Sequence, residues 1–194
     1  MKKILNPFTY FSGGTTLSVG AVIMAVMIVT AHLTGQTFRG VISIGIGHLS
    51  YLRLTLQLLA GWAVFSALLY GVGRWLSPSH IRLIDIAGNQ ALAKLPFGVL
   101  LICSWFYPIE NMMSELTEIQ SPSLYESYPF VPSVGLLVYS VVALLMIVWF
   151  FVWSYRGFAI AANLRGWRAA GSYIGCYLLA EVLAGWCTSA LARY

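Results

Sequence analysis

An all-α bundle of five transmembrane helices is the fold class the sequence predicts, and three observations predict it. The 194 residues are 59% hydrophobic and 9% charged, with a mean hydropathy of +0.81. Soluble domains carry about 25% charged residues, so this chain lacks the polar surface to face water on every side. Its apolar residues gather into five runs, each near the roughly 20 residues a helix needs to cross the hydrocarbon core. Most of the basic residues fall in alternate loops, as expected when Lys and Arg stay on the cytoplasmic side.

Residues 1–16 read as a short cytoplasmic segment, basic at Lys2 and Lys3 and aromatic at Phe8, Tyr10 and Phe11. Residues 17–191 then make one transmembrane domain. Its first span is 17–33. Val29-Thr30-Ala31 loosely fits a signal-peptide cleavage site, but the long, Gly13-Gly14-interrupted stretch before the apolar core favours an uncleaved helix. Residues 34–52 form a loop with Arg39 and His48. Its apolar centre, Val41–Gly47, is too short to span and too glycine-rich for a stable helix, so it either lies along the interface or tucks against the bundle.

The second span is 53–75, with Gly61, Gly71 and Gly73 as points of close helix approach. The third is 83–105. Ser77-Pro78 before it reads as an N-cap and first helical position, so this helix is expected to start in water. The outer loop 106–132 holds Glu110, Glu115, Glu118 and Glu126 and no Lys or Arg. Ile109, Met112, Met113, Leu116 and Ile119 recur there at steps of three and four, the pattern of a short amphipathic helix. The fourth span, 134–153, is the most uniformly apolar and is expected to face lipid on most sides. An inner loop, 154–169, carries Arg156, Arg165 and Arg168. The fifth span, 170–191, has small residues at Gly171, Gly175, Ala180 and Ala184, which permit close backbone approach.

With the N-terminus inside and the C-terminus outside, Lys2, Lys3, Arg74, Arg82, Arg156, Arg165 and Arg168 are cytoplasmic. Only Arg39, Arg53 and Arg193 are then outside, and Lys94 lies within the membrane. An ammonium at mid-span costs roughly 2.5–3.5 kcal/mol on insertion scales, so it needs a partner or a wet cavity. Glu181 is the other ionisable group deep enough to neutralise it. Each lies eleven residues from the start of its span, counted from residues 83 and 170, and the two spans run in one direction. The expectation is therefore that the third and fifth spans are neighbours and that Lys94 meets Glu181. Gln90 lies one turn before Lys94. Asp85 and Asn89 form a second i,i+4 pair, and Pro96 opens the helix by freeing the Leu92 carbonyl. These six residues, Asp85, Asn89, Gln90, Lys94, Pro96 and Glu181, are the candidate intramembrane polar site. It reads either as an ion or proton path or as a structural pair that fixes the helices.

No phosphate loop, HExxH or GxSxG motif is present, and the three cysteines lack metal-ligand spacing. Ser77, His80, Arg82 and Asp85 are explained by a capped helix start. The expectation is a protein that is not an enzyme, with no cofactor and no metal. Without a basic run interleaved with aromatics, no nucleic acid is expected as a partner. Cys103 and Cys187 both fall toward the outer side, which leaves a disulfide open beside the plainer reading as buried free thiols.

Residues 6–190 resemble the bacterial branch of the Yip1 family. The resemblance rests on five spans, Asn6-Pro7-Phe8 in a basic N-terminal segment, and Ala91-Leu92-Ala93-Lys94-Leu95-Pro96 in the third span. This chain has Ala93 and Lys94 where the family has a Tyr-Ser-like pair before the proline. The resemblance implies the fold and a bacterial cytoplasmic membrane. It also implies a role organising the bilayer or partner proteins, either other membrane proteins or a second copy. The alternative is a small transporter or channel-like subunit using Lys94 and Glu181. Reporter fusions within 106–132 are expected to report the outer side and fusions at Arg165 the inner side; a cytoplasmic 106–132 would overturn the orientation.

Overall fold

A backbone surrounded by lipid finds no water to bond, so each apolar run closes its hydrogen bonds internally as a helix. The computed structural model describes Phe8, residues 13–108, Asn111 and residues 133–193. Among these are five helical spans long and apolar enough to cross a membrane. The helices are α1 (Gly13–Leu33), α2 (Tyr51–Leu76), α3 (Leu83–Leu92), α4 (Leu95–Cys103), α5 (Val134–Ala161) and α6 (Gly166–Arg193). Helices α3 and α4 are the two halves of the third span. Two short strands, β1 (Gln36–Phe38) and β2 (Ile44–Ile46), join α1 to α2. The protein is an integral membrane helix bundle.

The third span is the centre of that bundle. In its most apolar stretch 78% of residues are buried, against 11% for α5, which is the lipid-facing helix its composition predicts. Helix α1 packs along α3, α5 packs on both α3 and α4, and α6 packs along α2. The α1–α3 contact is close because glycine permits it. A Cβ on Gly20 would lie 2.7 Å from the Ala91 carbonyl carbon and 2.8 Å from Leu92 N, and one on Gly88 would lie 2.8 Å from the Gly13 carbonyl oxygen. Trp62 donates its indole N–H to the Ala87 carbonyl at 3.0 Å, tying α2 to α3. Tyr173, Cys176, Ala180, Ala184 and Thr188, at three- and four-residue steps, form the buried face of α6.

Several expectations are corrected. Ser77-Pro78 does not cap the third span. Helix α2 runs to Leu76, and the Ser77 hydroxyl accepts the Ser79 N–H at 3.1 Å, turning the chain instead of opening a helix. Helix α3 starts at Leu83, with extended Arg82 at its N-cap. The arginine-bearing loop 154–169 shrinks to residues 162–165. Helix α5 continues to Ala161 and ends in a Schellman turn. Asn163 has φ +49°, its N–H donates to the Ile160 carbonyl at 3.2 Å, and the Leu164 N–H donates to the Ala159 carbonyl at 3.0 Å. A charged residue at a span's end can stay helical by extending its head group to the interface, so Arg156 did not mark a loop. Cys103, Cys176 and Cys187 are free thiols, as the plainer reading has it, but only Cys176 is buried; Cys103 is half-buried and Cys187 exposed. A Cβ on Gly171 or Gly175 would meet nothing within 4 Å among the described residues. The amphipathic stretch 109–119 lies outside the described residues, Asn111 apart.

Gly20→Leu is expected to wedge α1 off α3 and to destabilise by at least the about 1–3 kcal/mol typical of overpacking, since the neighbour is backbone and cannot rotate away. Gly71→Ala on α2 meets nothing within 4 Å among the described residues and should be near neutral. Unfolding in denaturing detergent, followed by circular dichroism, compares the two.

Candidate functional site

Non-helical backbone at membrane depth survives only where protein or a wet cavity satisfies its polar groups. The loop between α1 and α2 meets that condition by folding into the bundle. After α1, Gly35 adopts φ +65°, a left-handed conformation that suits glycine, and sends the chain back toward the bundle. Strands β1 and β2 then pair antiparallel in the register Gln36 with Ile46, Thr37 with Gly45, and Phe38 with Ile44. The Arg39 N–H donates to the Ser43 carbonyl at 2.8 Å and closes the tip. Of the two placements open to this apolar glycine-rich stretch, it tucks into the bundle. Phe38 and Val41 are buried.

Lys94 and Glu181 grip this tip from opposite sides. The Lys94 ammonium donates to the Val41 carbonyl. The Glu181 carboxylate accepts the Val41 N–H at 2.8 Å, the Ile42 N–H at 3.3 Å and the Ser43 hydroxyl. The Val41 C=O and the Ile42 N–H belong to one peptide unit, so its dipole lies between an ammonium and a carboxylate. Hydrogen bonds to charged groups are stronger than neutral ones. Lys94 is 3% exposed, and its Nζ lies 5.9 Å from the Phe97 ring centroid and 5.7 Å from that of Phe150, within cation–π range.

Other bonds hold the rest of the hairpin. The Phe38 N–H donates to Gln57 Oε1 of α2 at 3.2 Å, and the Thr188 hydroxyl of α6 donates to the Arg39 carbonyl at 2.8 Å. Gln36 Nε2 donates to Ser104 Oγ at 2.6 Å beyond the end of α4. Two glycines make the fit possible. A Cβ on Gly61 would lie 2.7 Å from the Gly40 carbonyl oxygen, and one on Gly40 would collide with the Glu181 carboxylate.

The third span places Lys94 by breaking. Helix α3 stops at Leu92, Ala93 and Lys94 form a turn, and α4 begins at Leu95 with Pro96 in its first turn. Lys94 lies eleven residues after Leu83 in this 21-residue span, so the hairpin tip reaches about half its depth.

The expectation of a direct Lys94–Glu181 contact between neighbouring helices is corrected. Among the described residues no ion pair joins them, and the third span has no extended packing on α6. The hairpin fills the gap. Gln90 is not on the Lys94 face either: it donates to the Ser154 carbonyl at 3.1 Å and accepts the Ser154 hydroxyl at 2.5 Å. Asn89 donates to the Gly157 carbonyl at 2.9 Å. These two amides bind α3 to α5. Asp85 is half-buried one helical turn earlier, with its Oδ1 2.6 Å from where a Gly13 Cβ would sit. The six candidates therefore divide. Lys94, Pro96 and Glu181 build the clamp, and Asn89 and Gln90 join helices. Asp85 lies apart near the start of α1.

Gln57, Thr188, Ser43 and the Val41–Ile42 peptide were missed as site groups. Gln57 did carry a signal, being the one amide in a mostly apolar second span. No protein-family model, curated protein or solved structure matches this chain.

The clamp and a direct ion pair differ in one measurable respect. An ion pair survives reversal, but reversal here sets a carboxylate against a carbonyl and an ammonium against N–H groups. Lys94→Glu combined with Glu181→Lys is expected to be at least as unstable as either single change. Lys94→Met and Glu181→Ala are each expected to cost about 3–5 kcal/mol, the range for breaking a buried charged pair. Glu181→Gln keeps an acceptor and should cost less. Unfolding of the purified variants in denaturing detergent checks the series, and a reversed variant as stable as the parent would replace the clamp by a direct pair.

Proposed function

We propose that this protein is a non-enzymatic membrane protein of the Yip1-like type, organising the bilayer or partner proteins in a bacterial cytoplasmic membrane. The observation that carries the reading is that both intramembrane charges are engaged by the chain's own backbone. Lys94 and Glu181 hold a hairpin tip in place and leave no exposed ammonium at mid-membrane. The space beside Lys94 is about 10 Å³, about one water molecule at most. A transport path needs its charged groups to meet water from each side in turn, and a scaffold needs them fixed. Packing around the third span favours the fixed arrangement, with α5 and the open face of α6 presented to lipid or to a partner.

Accessibility tests this reading against the alternative of a small transporter or channel-like subunit. In a background with Cys103, Cys176 and Cys187 replaced by serine, Val41→Cys and Phe97→Cys are expected to resist membrane-impermeant maleimide from both sides. His48→Cys, on an exposed residue, should react. Reaction of either buried position from one side would move the assignment to the transporter.

A further inference from the structure

Above the clamp, between the hairpin, α2 and α6, lies a cavity of about 380 Å³. Thr37, Arg39, His48, Gln57, Thr188 and Ser189 supply its polar lining. No described residue lining it is an acid, and the Arg39 guanidinium has no ion-pair or hydrogen-bond partner among the described residues. Gln57 is 2% exposed, and its carbonyl oxygen is taken by the Phe38 N–H. Its amide group has no acceptor among the described residues, and Gln57 lines the cavity. An amide donor on a buried residue and an unpaired guanidinium lining one cavity without a counter-charge make a site for an oxyanion. A guanidinium matches the planar fork of two phosphate oxygens.

The level in the membrane says which oxyanion. His48 lies just before Tyr51, the first residue of α2, and Ser189 lies near the end of α6. Exposed Tyr51, Trp105 and Trp186 lie at this same end of the bundle, where aromatic side chains mark the headgroup layer. The apolar Ile46 and Leu49 complete the wall.

We propose that this cavity binds a phosphate group at the membrane surface, presented by a phospholipid headgroup. The site is separate from the clamp, and either reading of the protein's role accommodates it. Native mass spectrometry of the full chain, released from phosphatidylcholine nanodiscs into detergent, provides the test. Short-chain phosphatidylglycerol is compared with the diacylglycerol of the same chains, which lacks the phosphate, and thermal unfolding is recorded with and without inorganic phosphate.

Phosphatidylglycerol is expected to be retained and diacylglycerol to be lost. Arg39→Gln should weaken retention by about tenfold or more, as loss of a charge-assisted hydrogen bond implies. Ser189→Trp, which fills the cavity and leaves its charge alone, should do the same. Both variants change exposed side chains and should unfold at the parent temperature when no ligand is added. If inorganic phosphate stabilises the parent as strongly as the lipid does, and Arg39→Gln abolishes this, the anion is a soluble phosphate. Equal retention of the two lipids, or retention unchanged in both variants, overturns the site.

Discussion

The bundle is arranged around an unmet need of the backbone. Eight residues, 38–45, carry tip and strand backbone toward the middle of the membrane, where an unpaired N–H or C=O would cost several kcal/mol. Strand pairing satisfies part of this segment. The remainder depends on donors and acceptors from the helices: Gln57 for Phe38, Thr188 for Arg39, Lys94 for the Val41 carbonyl, and Glu181 for the Val41 and Ile42 amides. The need runs both ways. Lys94 and Glu181 would themselves be expensive in hydrocarbon, and the hairpin supplies the dipoles that make them tolerable. Neither the charges nor the hairpin is stable there alone.

This mutual dependence explains the interruption of the third span. A continuous helix would bond its own carbonyls and leave the Lys94 side chain to the direction set by helical pitch. The turn at Ala93–Lys94, with Pro96 following, ends one helix and starts another, and Lys94 occupies the junction. On the far side of the same span, Asn89 and Gln90 bond carbonyls of α5, and Ser154 returns a hydroxyl to Gln90. Without a hydrophobic drive between helices in lipid, such bonds and close glycine contacts do the joining. The third span thus holds the hairpin with one face and α5 with another, consistent with its being the most buried of the five.

Helix α6 illustrates how one helix can present two surfaces. Ala180, Ala184 and Thr188 face inward, where their small size admits the hairpin and α2. Gly171 and Gly175 occupy another face, where an added Cβ would meet nothing among the described residues. A sequence pattern of small residues therefore marked a helix suited to close contact, and only part of that pattern is used among the described residues.

The sequence by itself determined the class, the number of spans and the residues on which an intramembrane site has to be built. Hydropathy and length dictate helices in lipid, and a Lys, a Glu and a Pro in apolar runs are too costly to be incidental. It also marked 41–47 as apolar backbone unable to span. What tertiary structure decided was who meets whom. Depth matching paired Lys94 with Glu181 because side chains are the only groups a sequence displays with a charge. The acceptor and donor they use belong to the backbone of Val41 and Ile42, which any residue type carries, so no letter in the sequence announces them. The span ends were legible only to a few residues for the same reason: Arg156 is compatible with helix or loop until the Asn163 turn fixes where the helix stops.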